Sequence, residues 1–157
     1  MHAAFPIEHQ LDRLRADLNQ MGDAVVERLS AAIAALIQHD RMQAQMIIND
    51  DQQINRAWAA IEEATLDLIT TRHPVGRDMR VLLSIRAIAD ELERIGDYAK
   101  NIAAIAAATD VRPALLPLAR AVAYADMAVH RVAEAVALAT DLDVEAAHQL
   151  SANVRGM

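Results

Sequence analysis

The residues most able to do chemistry lie in one stretch, RAIADELERIGDYAKNIA, residues 86–103. At about 100° per residue, Asp90, Glu93, Asp97 and Asn101 fall within roughly 80° of one helix face. Three carboxylates and an amide on one stripe repel one another unless something neutralises them. A hard cation held by oxygen ligands is one way to do that. The other is a solvated acidic face relieved by Arg86, Arg94 and Lys100. Gly96 sits inside the same stretch, where glycine costs a helix about 1 kcal/mol relative to alanine. That cost predicts a close approach by another element. A second stripe precedes it. Asp51, Asn55 and Glu62 lie within roughly 40° of one another on a helix, and Trp58 shares their face, which argues against full solvation.

The elements that must position these groups are helices. Leu11, Leu14, Leu18, Met21, Val25, Leu29, Ala32 and Leu36 recur at steps of three and four, predicting a helix over about 8–38. Asp40 stands at the following break and can cap the next helix. A second helix is expected over 41–71, with Met42, Met46, Ile47, Ile54, Trp58, Ile61 and Leu68 inward. The run RHPVG, residues 72–76, ends it with Pro and Gly in one short turn. A third helix is expected over 77–108, with Met79, Leu82, Leu83, Ile85, Ile88, Leu92, Ile95, Ile102 and Ile105 inside. After a break at 110–113 comes a fourth, over 114–139, and a fifth begins near Val144.

Composition agrees with an all-α fold. The chain has 157 residues, 54% of them apolar but only 3% aromatic, with four Gly and four Pro. Its 34 Ala suit helices packed at short range, and so few breakers and aromatics exclude a β-sandwich, a barrel or a disordered tail. With no Cys there is no disulfide framework and no thiolate metal site, which agrees with a reducing cytoplasm. A net charge of −7 is poorly suited to a nucleic-acid backbone and better suited to cations or basic partners. The N-terminal residues lack a signal-peptide pattern, and no run of 18 apolar residues spans a bilayer.

An internal repeat shapes the architecture. DAVVERLSAAIAALIQHDRMQA from Asp23 aligns without a gap with DMAVHRVAEAVALATDLDVEAA from Asp126, at an offset of 103. Asp23/Asp126, Val26/Val129, Arg28/Arg131 and Asp40/Asp143 are identical pairs. The expected organisation is a first three-helix bundle over 8–110, then over 113–157 the first helix and the start of the second helix of a second unit. The apolar stripe of that fourth helix, Leu115, Leu118, Val122, Met127, Val132 and Val136, is expected to fold against the first bundle or to pair with another chain as a homodimer.

LERIGDYAKNIA, preceded by RHPVGRDMRVLLSIRAIADE, resembles the signature of the PhoU family of phosphate-uptake regulators. The similarity extends over about residues 8–157. The resemblance implies paired three-helix bundles carrying Glu/Asp-x-x-x-Asp motifs, on which some members hold iron or other metal clusters. The first motif here is Glu93-Arg94-Ile95-Gly96-Asp97, and the companion on the second helix reads Asp51-Gln52-Gln53-Ile54-Asn55. Asn55 replaces a carboxylate, which lowers the charge available to iron, zinc or another divalent ion. At the 103 offset a second Glu-x-x-x-Asp would start near position 196, so one acidic site is expected in these residues.

The resemblance further implies a cytoplasmic negative regulator of phosphate uptake and phosphate-starvation signalling. It would contact the ATPase subunit of a phosphate ABC transporter and a sensor histidine kinase, with no nucleic-acid partner. The alternatives are a metal-binding helical bundle and an accessory regulator of another transporter. No catalytic motif is present, so no enzyme activity is expected. Glu145 and His148 have the Glu-x-x-His spacing of di-iron bundles but occur once, and His9, His39, His73 and His130 are scattered singly, as surface or capping residues. Met42 and Met46 read as core.

Overall fold

A computed structural model describes residues 7–50, 52–108 and 115–141, with side chains in the last segment described from 122 to 137. The elements are α1 (Ile7–Gln38), α2 (Arg41–Asn49), α3 (Gln52–Arg72), α4 (Arg77–Ala108) and α5 (Leu115–Asp141). Among the described residues there is no strand, and no helix is long and apolar enough to cross a membrane. The all-α expectation holds, and the first, third and fourth helix ranges agree to within a residue or two. The fifth helix expected near Val144, and with it the Glu145/His148 pair, lies outside the described residues.

The α1 stripe behaves as its spacing demands. Leu11, Leu14, Leu18, Met21, Val25, Leu29 and Ala32 are all buried, the first five packed with Ile54, Ile61 and Leu68 of α3 and Leu82, Ile85 and Leu92 of α4. Each large side chain removed from water contributes about 1.5–3 kcal/mol, before entropy is set against it. The other end of the bundle is built differently. Ala32, Ala35, Ala44, Ala99, Ala103 and Ala106 pack there with Leu29, so small side chains let α1, α2 and α4 approach closely. The alanine excess thus acts in packing.

One long second helix does not form. Its N-terminal part, α2, stops at Asn49, and α3 starts at Gln52. Asn49, Asp50 and Asp51 are poor helix formers, since their side chains compete for backbone partners. Arg28 completes the break. This buried arginine of α1 donates from Nη2 to the Asp50 carbonyl, and its guanidinium lies 3.7 Å from the Asp50 carboxylate. A cation at a helix C-terminus also complements the helix dipole. The break turns α2 so that Met42 and Met46 are 77% and 66% exposed, which overturns their assignment to the core. Leu83 and Ile105 of α4, also expected inside, are likewise exposed, because that helix buries a narrower stripe than its apolar content covers.

The α1–α2 corner is closed locally. His39 has φ 55°, and the Asp40 N–H donates to the Ala35 carbonyl at 3.0 Å, a Schellman closure of α1. Asp40 then caps α2 as expected, its carboxylate accepting from the Gln43 N–H at 2.9 Å. His73 likewise follows α3 with φ 47°, and Gly76 turns the chain into α4 with φ 58°.

α5 runs antiparallel to α1 and lies against it. A Cβ built on Gly22 would overlap Val136 Cγ1 and stand 2.9 Å from its Cγ2. Val136 is buried in the main core, while Val129 and Val132 pack on the alanine cluster. Of the expected α5 stripe, Val132 and Val136 fold against the first bundle. Met127 and Tyr124 remain on the outside.

Candidate functional site

The α3–α4 face brings together much of what the sequence singled out. A Cβ on Gly96 would lie 3.0 Å from Cδ1 and 3.2 Å from Cγ2 of Ile54. The close approach predicted at Gly96 is thus made by the buried Ile54 side chain, at the start of α3. Asn55 follows Ile54 and is exposed, as are Asp97 and Asn101 on α4, whereas Glu93 is half-buried. Asp51 lies outside the described residues.

Asp90 is drawn into a different arrangement. Its Oδ1 accepts a hydrogen bond from Trp58 Nε1 at 2.8 Å, and its Oδ2 lies 3.5 Å from Arg86 Nη1. Arg86 Nη2 donates to Glu62 Oε1 at 3.0 Å. The hydrogen bond to Glu62, aided by the charge of Asp90, raises the Arg86 guanidinium above its ordinary range. Two carboxylates from two helices therefore share one arginine, and an indole N–H orients one of them. This is partly exposed, so its contribution to stability is modest and screened by salt. Sequence reading placed Trp58 and Glu62 on one stripe and Asp90 on another. It missed that Arg86, four residues before Asp90, would join them across the helices.

The acidic stripe is thus divided. Arg86 relieves its Asp90 end, while Arg94 turns aside to Glu91 at 2.8 Å and leaves the stripe. Among the described residues, no three His, Asp or Glu side chains gather closely enough to hold a metal ion. The described donors alone therefore do not fit a preformed metal centre. What they present is a partly exposed helical face of mixed charge with anchored side chains.

Long antiparallel helices with an acidic motif on α4 place the chain in the class of all-α helical bundles. The PhoU domain matches residues 18–106, and the chain belongs to the PhoU family. It is 35% identical over 101 residues to the phosphate-specific transport system accessory protein PhoU of Escherichia coli K12, covering 64% of this chain and 42% of that protein. The Pseudomonas putida homolog of that accessory protein is 34% identical over 102 residues, covering 65% and 40%. The chain thus spans about two fifths of the length of the curated relatives it matches. The crystal structure of PhoU from Pseudomonas aeruginosa superposes with a TM-score of 0.85 at 27% identity, over 92% of this chain and 69% of that one. PhoU from Streptococcus pneumoniae gives the same TM-score at 24% identity over 92% and 68%, a likeness of fold.

Proposed function

We propose that this chain restrains phosphate uptake and phosphate-starvation signalling by docking, not by catalysis. The observation that carries the reading is the match of the PhoU domain to residues 18–106, reinforced by relatives named as accessory proteins of phosphate-specific transport. The ATPase subunit of a phosphate ABC transporter and a phosphate sensor histidine kinase are the partners we assign. The action is cytoplasmic, at the inner face of the membrane through those partners. Residues 8–110 are the first bundle in this reading, and 113–157 open a second, with a homodimer as the working form. Long rigid helices and an acidic surface favour such docking.

The test is expression of the chain in a bacterium lacking its own PhoU. Restored phosphate-dependent repression of radiolabelled phosphate uptake, together with co-purification of the transporter ATPase, supports the reading. Unrestrained uptake with no co-purification overturns it.

A second reading, a divalent-cation site for iron or zinc, rests on the approach of α3 to α4 at Gly96. The ligands we assign in this reading are Glu93 and Asp97, flanked by Asp90 and Asn101, with Asp51 and Asn55. Metal analysis of protein purified without chelator tests it. Bound metal that is lost on Glu93→Ala and Asp97→Ala supports the site, and metal-free wild-type protein leaves the stripe as a docking face.

A further inference from the structure

Met42 and Met46 stand one helical turn apart on α2 and are the two most exposed methionines among the described residues, at 77% and 66%. The internal repeat offers a comparison for them within the same chain. At the offset of 103, the fully buried Ala44 corresponds to Ala147, and the half-buried Ile47 corresponds to Leu150. The positions that packing demands keep their type. Met42 and Met46 correspond instead to Glu145 and Gln149. The sequence repeat thus carries polar residues at those two places. The fold does not require methionine there, and exposing two large apolar side chains side by side has a solubility cost that calls for a use.

Met46 lines a groove of about 450 Å³ between α1, α2 and the start of α3, and Met42 stands one turn before it on α2. Its floor is Ala24 and Ala31 of α1 with Ile47 of α2, small or apolar groups that allow a helix to settle close. Its rim carries Glu27 and Asp50. The one cation in the lining, Arg28, is buried and directed at Asp50, so the accessible rim is acidic, on a chain of net charge −7. Apolar anchors of adaptable shape, a shallow floor and an acidic rim together define the chemistry of the occupant.

We infer that Met42, Met46 and the α1–α2 groove form a docking site for a basic amphipathic helix of a partner protein. Large apolar residues of that helix seat between the methionines and Ile47, and its Lys or Arg residues face Glu27 and Asp50. The inference names the surface through which the docking protein proposed above engages a partner, and it rests on that reading.

The experiment uses the whole chain with its methionine methyl groups labelled with ¹³C, titrated with a Leu/Lys amphipathic helical peptide of about five turns. A Leu/Glu peptide of the same pattern is the control. Of the seven methionines, Met21 is buried in the core and Met127 lies on α5, so both serve as internal references. The expected result is a shift of the Met42 and Met46 signals with the basic peptide, silence at Met21 and Met127, and no binding of the acidic peptide. Met42→Glu with Met46→Gln, the residues at the equivalent positions of the repeat, is expected to weaken binding at least about tenfold with helix content unchanged. Glu27→Gln is expected to weaken it less and to flatten its salt dependence. Shifts centred on Met127, equal affinity in the double variant, or loss of the Met42 and Met46 signals through self-association of the chain would each overturn the inference. A double variant that keeps the transporter ATPase but loses the peptide overturns this surface and spares the transporter reading. A chain that binds the peptide but no ATPase does the reverse.

Discussion

Gly96 of α4 and Ile54 of α3 are so close that a Cβ on the glycine would stand 3.0 Å from the isoleucine Cδ1. The start of α3 is seated on the acidic motif by this contact. Gly96→Val is expected to cost about 2–3 kcal/mol, since overpacking and β-branching act together. Ile54→Ala in the same chain should recover part of that loss. A double-mutant cycle in urea reads the coupling directly, and strictly additive effects would mean that the two residues do not meet.

Gly22 and Val136 make the corresponding contact between α1 and α5, and it is tighter. Gly22→Ala favours α1 by about 1 kcal/mol of helix propensity, yet its methyl group collides with Val136. The expected outcome is split behaviour, with the bundle of α1–α4 retained and hydrogen-exchange protection lost in α5 alone. Val136→Ala should restore that protection. Uniform loss across all helices would show that α5 is not separable in this way.

Trp58 is the single tryptophan, so the Trp58–Asp90 hydrogen bond has its own reporter. Asp90→Asn keeps an acceptor for the indole N–H but releases Arg86, whereas Asp90→Leu removes both. Trp58 emission is expected to change with Leu and to stay near wild type with Asn. Equal changes in the two variants would place the Arg86 pair, not the hydrogen bond, in control of the indole.

Thr65 is fully buried, and its hydroxyl has no hydrogen-bond partner. Thr65→Val keeps the shape and removes the desolvated oxygen. We expect a gain of about 1 kcal/mol, seen as a higher urea midpoint with an unchanged slope.

The α1–α2 corner yields a pair of opposite effects. His39 holds φ 55°, and glycine carries that backbone without the side-chain clash, so His39→Gly is expected to stabilise by about 1 kcal/mol. Asp40→Ala removes the bond to the Gln43 N–H and is expected to cost about 1 kcal/mol. Thermal unfolding of the two variants in parallel checks both signs.

Much of this was legible in the residues alone. The α1 stripe, the Asp40 cap, the 72–76 turn and the glycine marking a close approach follow from rules that act within a few residues. Local spacing dictates which face of a helix is apolar, and a local side chain dictates where a helix begins. The family resemblance was legible too, in the Glu93–Asp97 motif and its surroundings.

Other features needed the tertiary structure. The division of one expected helix at Asp50 is completed by Arg28, 22 residues away in sequence. That break turned Met42 and Met46 from core to surface. The capture of Asp90 by Trp58 and Arg86 likewise joins residues of two helices. Periodicity shows that a residue lies on a face; it does not show which helix that face meets or how far a neighbour stands from it. Whether a carboxylate is held by an arginine, an indole or an ion depends on those distances. The residues of this chain thus determined its helices and their apolar sides, and packing between helices decided which polar and apolar groups were left to meet a partner.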